Sequence, residues 1–69
     1  MFLKEYIGQV CEINLIDGSG TVAMLVDVED HWLKIEDNGK NKLVNANLVR
    51  YISPMPEKYQ EKYRRKQNR

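Results

Sequence analysis

The sequence has one Cys, one His, one Trp and two Pro, and no apolar run approaches the ~18 residues that suggest a membrane span. A single Cys excludes an intrachain disulfide and any Cys-based metal site. Cys11 follows Val10 in an apolar stretch, which marks it as a small core residue. Charge of one sign is also missing: 42% of residues are hydrophobic and the formal net charge is +1, which is too apolar and too weakly charged for a disordered chain. A chain of 69 residues is one small domain. At that size about 60% of the unfolded surface becomes buried, so the core is small and a partner subunit would stabilise it. Residues 1–8 carry Lys4 and Glu5 without a long apolar stretch or a small-residue cleavage site, so they do not read as a secretory signal; the expected location is the cytoplasm, with no membrane partner.

Catalytic patterns are missing too. No Ser or Cys has a credible base nearby in sequence, no Gly-rich loop precedes a helix, and His31 is alone for metal binding or proton transfer. Asp27, Glu29 and Asp30 lack the glycine and terminal Glu of a calcium-binding loop and read as a solvated acidic turn. The expectation is a non-enzymatic protein without a cofactor.

Charge divides the chain at Pro54 and Pro56. Residues 1–55 hold five basic and eight acidic side chains, a net of −3, whereas residues 56–69 carry +4. This pattern predicts a domain over 1–55 and a basic tail or helix over 56–69. Such a tail suits nucleic acid, another anionic surface, or the acidic face of a neighbouring subunit.

Apolar residues alternate through the first part, and Gly, Asn and Asp clusters separate the runs, so it reads as strands. The first strand covers 9–16, with Cys11, Ile13 and Leu15 on one face. Asp17-Gly18-Ser19-Gly20 supplies a turn, and 21–28 form a central strand apolar on both faces. After an acidic loop over 28–31 comes a third strand, 32–36, with Leu33 and Ile35 inward. Asn38-Gly39 marks the next hairpin. A short fourth strand over 42–44, a tight connection over 45–47 and a fifth strand over 49–52 complete the set. Five short strands at this spacing close economically into a small barrel.

Phe2, Leu3, Tyr6 and Ile7 fall at helical spacing before Gly8 and predict one short N-terminal helix. Residues 57–66 are good helix formers, with Tyr59 and Tyr63 one turn apart and Glu61 set favourably before Arg65. So short a helix frays in water unless it docks.

The order of elements and several residues resemble the Sm and Sm-like (LSm, Hfq) family over about residues 2–54. Tyr6-Ile7-Gly8 leads into the first strand and Asp17-Gly18. The segment from Val44 through Leu48, Val49-Arg50 and Tyr51-Ile52-Ser53-Pro54 is similar to that family's second motif, I-R-G-x-N-V-V-Y-I followed by Ser-Pro. The resemblance implies a mainly β fold, a five-stranded Sm-like or SH3-like barrel. It further implies a homo-oligomer, in some members a ring, in which the fourth and fifth strands pair between subunits. Leu43, Val44, Val49 and Tyr51 are the residues placed at that contact. In the family, an Asp and an Asn after the second strand and the Arg-Gly of the second motif form a pocket for a single-stranded base. Here Val28 and Trp32 stand at the first two positions and Asn45-Ala46 at the others; a one-residue shift recovers Asp27 but leaves His31 for Asn. Uridine recognition therefore does not carry over residue by residue. Src-homology barrels share the third-strand Trp and the tight turn before the last strand.

Single-strand recognition needs a planar group for stacking and cations for phosphate. His31, Trp32 and Asn45 are candidates for the first role. Lys62, Arg64, Arg65 and Lys66, interleaved with Tyr59 and Tyr63, are candidates for the second. Each has a structural alternative: Trp32 packing across the barrel mouth, His31 in a solvated loop, and a solubilising or docked tail. Two functions stay open: binding of single-stranded RNA or an RNA-associated assembly, and an oligomeric module whose partner is a protein.

Overall fold

The computed structural model describes the backbone of residues 2–67 and the side chains of residues 3–64. A 3₁₀ turn, Phe2–Tyr6, precedes β1 (Val10–Leu15), β2 (Gly20–Glu29), β3 (Trp32–Asp37) and β4 (Lys40–Asn45). A second 3₁₀ turn, Ala46–Leu48, leads to β5 (Val49–Pro54), and α1 (Glu57–Gln67) follows. The strands form one antiparallel sheet in the order β4-β3-β2-β1-β5, without pairing between β4 and β5. The sheet is therefore open, with β4 and β5 as its two edges. Pro54, which has no N–H to give to a ladder, lies at the end of an edge strand, where that loss is tolerated.

The turns form where their residues allow. Asn38 and Gly39 both take positive φ, at 52° and 82°, the pair of conformations a two-residue β3–β4 connection needs. Asp17 Oδ1 accepts hydrogen bonds from Ser19 N at 2.8 Å and Ser19 Oγ at 2.6 Å, folding the β1–β2 turn around Gly18 at φ 91°. Gly20 serves differently: it stands in the strand, where a Cβ would lie 3.2 Å from the Ile13 carbonyl oxygen and 3.3 Å from Asn14 Nδ2. The acidic loop is shorter than its sequence suggests. Glu29 pairs with Trp32, leaving only Asp30 and His31 in the turn.

Cys11, Ile13, Ala23, Leu25, Val28, Leu33 and Ile35 make the core cluster, with Leu3, Tyr6, Leu15, Val44, Ala46, Val49 and Ile52 packed against it. The expected inward residues of β1 and β3 are thus inside. β2 is more informative. Ala23 and Leu25 point inward two residues apart, but the next buried residue is Val28, three further on. The pairing explains the change of phase: Leu25 faces Ile35 and Asp27 faces Lys34, so Val26 is an extra residue in β2. Such a bulge turns the strand and switches which face the following side chains occupy.

α1 is held by two anchors. The Gln60 side chain accepts from Val10 N at 2.7 Å and donates to the carbonyls of Val10 and Met55 at 2.8 and 3.0 Å. Tyr63 Oη donates to the Glu36 carbonyl at 2.6 Å. The helix therefore docks, which offsets the marginal stability of eleven helical residues in isolation.

Candidate functional site

Trp32, His31 and Asn45 converge where the β2–β3 turn meets the end of β4. Trp32 is the cross-strand partner of Asn45 on one side and Glu29 on the other. The His31 carbonyl accepts from Ala46 N at 2.6 Å, tying the turn to the start of the second 3₁₀ segment. His31 is exposed and Trp32 is 47% exposed, so about half of the indole is reachable from solvent. Asn45 acts locally, its Oδ1 capping the 3₁₀ turn by accepting from Asn47 N at 2.9 Å.

Beside Trp32 is a pocket of about 280 Å³ lined by Asp27, Glu29, Asp30, Trp32, Lys34 and Leu43. Leu33 and Ile35 point into the core, so Trp32 and Lys34 share the opposite face of β3. The pocket's lining carries three carboxylates and one ammonium. At close range that balance repels phosphate and favours a cation.

The basic candidates lie elsewhere. Lys62 lines a second pocket, about 320 Å³, together with Val10, Val22, Asp37, Asn38, Tyr59 and Tyr63. Arg64 stands 3.9 Å from Glu57 in an exposed pair. The side chains of Arg65 and Lys66 fall outside the described residues. Tyr63 is bonded to Glu36, near the end of β3 remote from Trp32, so the structure separates the stacking candidates from the basic ones. Burial raises the Tyr63 pKa above the ordinary tyrosine value, with the charges of Glu36 and Asp37 adding to the shift.

Of the four interface candidates, Leu43 on β4 and Tyr51 on β5 are exposed, at 65% and 46%. Val44 and Val49 are half-buried and pack against the subunit's own core. Sequence reasoning missed two features. Gln60 reads as a polar helix residue, because its only signal is its phase with Tyr63, one turn on. The gathering of Asp27, Glu29 and Asp30 with Leu43 had no local signal, since Leu43 arrives from another strand.

Among the described residues no group of three or more His, Cys, Asp or Glu could hold a metal ion, and no helix is long and apolar enough to cross a membrane. The protein is, in class, a small β-sheet domain with one docked C-terminal helix. No family model matches its sequence, and no curated protein matches it.

Proposed function

We propose that this chain is a non-enzymatic cytoplasmic module of the small Sm-like barrel type that works as a homo-oligomer, its copies joined by pairing β4 of one subunit to β5 of the next. The observation that carries this reading is the pair of unmatched sheet edges, each presenting a large exposed apolar side chain, Leu43 on β4 and Tyr51 on β5. An open edge leaves backbone N–H and C=O groups without ladder partners, and pairing with another chain satisfies them. Two different edges give a head-to-tail contact, which closes into a ring when the rotation allows. The small core is consistent with stability gained from a neighbour.

Sedimentation velocity of the full chain tests this with Leu43→Lys and Tyr51→Lys, both at exposed positions where the fold tolerates a charge. Each variant alone is expected to be monomeric. Their mixture is expected to form a one-to-one heterodimer, because the intact β4 edge of the Tyr51 variant meets the intact β5 edge of the Leu43 variant. Variants that sediment like the wild type would overturn the interface.

RNA association is the second reading, favoured by the exposed cations Lys58, Lys62 and Arg64 on α1 beside the half-exposed Tyr59. The carboxylates around Trp32 favour phosphate contacts on this helix over the hairpin end. Fluorescence anisotropy with short oligo(U) and oligo(A) at two salt concentrations tests it: binding through α1 weakens steeply with salt and is lost in Lys58→Glu/Lys62→Glu.

A further inference from the structure

The pocket beside Trp32 combines an open aromatic face, an exposed aliphatic side chain and an excess of carboxylates. Cross-strand pairing fixes this arrangement: Glu29 opposite Trp32, Asp27 opposite Lys34, and Lys34 opposite Leu43. Asp30 joins from the turn at φ 52°. An indole face attracts a guanidinium or ammonium group, and carboxylates at its margin add charge-assisted hydrogen bonds, most effectively to Arg. Leu43 offers contact to the aliphatic stem of such a side chain. The pocket therefore suits a short basic peptide.

The chain itself contains such a peptide. Residues 64–69 read Arg-Arg-Lys-Gln-Asn-Arg, and they supply most of the charge that sets a +4 tail against a −3 body. Tyr63, immediately before this segment, is fixed to Glu36, which lies along β3 from Trp32 by about 13 Å at roughly 3.3 Å per residue. From Tyr63 to Gln67 the helix advances only about 6 Å. Measured along β3, the helical backbone to Gln67 covers about half of that distance, and a segment supplied by a second copy is free of this limit. We infer that the Trp32 pocket binds the basic C-terminal segment 64–69 of a second copy of this chain. Among the described residues, a competing contact within the subunit is the exposed Arg64–Glu57 pair at 3.9 Å, a weak one.

The inference rests on the self-association reading but uses another surface, and it is tested without altering Leu43, which borders both. Trp32 is the only Trp, so intrinsic fluorescence reports on the pocket directly. The recipient is the full chain with its tail charges reversed, Arg64→Glu/Arg65→Glu/Lys66→Glu/Arg69→Glu, and the probe is a synthetic peptide of residues 64–69. Saturable change in Trp32 emission is expected, with binding at least about tenfold weaker at high than at low salt. Adding Glu29→Gln/Asp30→Asn to the recipient should abolish it, while adding Tyr51→Lys should leave it intact and so separate this contact from the strand edges. In the wild type the emission should shift on dilution as copies part.

No response to the peptide, or an equal response to a control peptide with Gln at each basic position, would overturn the inference. So would wild-type emission that differs from the tail variant but stays constant over a dilution in which sedimentation shows the copies parting, since that is a tail bound within its own subunit.

Discussion

The side-chain amide of Gln60 pairs with both backbone groups of Val10, fifty residues earlier, with its oxygen 2.7 Å from Val10 N and its nitrogen 2.8 Å from Val10 O. It imitates one rung of a β-ladder beside the first residue of β1. Gln60 is 6% exposed, so neither partner has water as a ready substitute.

Gln60→Ala is therefore expected to cost about 1–3 kcal/mol, mostly from the stranded Val10 N–H, since the Val10 carbonyl keeps its bond from Met55 N at 2.9 Å. Urea denaturation gives the number. An unchanged midpoint would mean that the helix is not anchored there.

Gly18 and Gly20 should respond differently to substitution. Gly18→Ala is strained by its φ of 91°, at about 1–2 kcal/mol, and Gly18→Asn should recover part of that because Asn tolerates positive φ. Gly20→Ala meets a backbone carbonyl at 3.2 Å, for about 1–3 kcal/mol, and Gly20→Asn should be no better. Thermal melts of the four variants check this ordering.

Tyr63 links the helix to alkaline pH. Its folded pKa is raised above the unfolded value by burial and by Glu36 and Asp37, so the folded state favours the protonated phenol. That stabilisation is complete below the unfolded tyrosine pKa and is lost as pH rises through the folded one. Circular dichroism should show helix loss in that alkaline window. Tyr63→Phe should remove this dependence while costing about 1 kcal/mol at neutral pH for the lost bond to the Glu36 carbonyl.

Cys11 is completely buried, and burial raises its thiol pKa. A thiol reagent at neutral pH is expected to label it only as the protein unfolds, because the reactive thiolate is both scarce and inaccessible. Labelling of the native protein at the rate of a free thiol would contradict this placement.

The inward faces of β1 and β3, the Asn38-Gly39 and Asp17-Gly18 turns and the helical character of 57–66 were all legible in the sequence, because period-two alternation and positive-φ residues act over a few neighbours. The phase of β2 was not. Val22, Met24, Val26 and Val28 alternate without a break, yet the extra residue at Val26 puts Val28 on the inner face with Leu25, a choice made by pairing with β3. The candidate site divides in the same way. That His31, Trp32 and Asn45 meet follows from strand order, whereas the carboxylates and Leu43 around Trp32, and the distance of the basic helix from it, come from pairings across β2, β3 and β4 and from the docking of Gln60 and Tyr63. By itself the sequence determined residue periodicity, turn chemistry and the contrast between acidic body and basic tail. Only the tertiary structure decided which charges face each other, because electrostatic and packing partners are chosen by proximity in space between residues far apart along the chain.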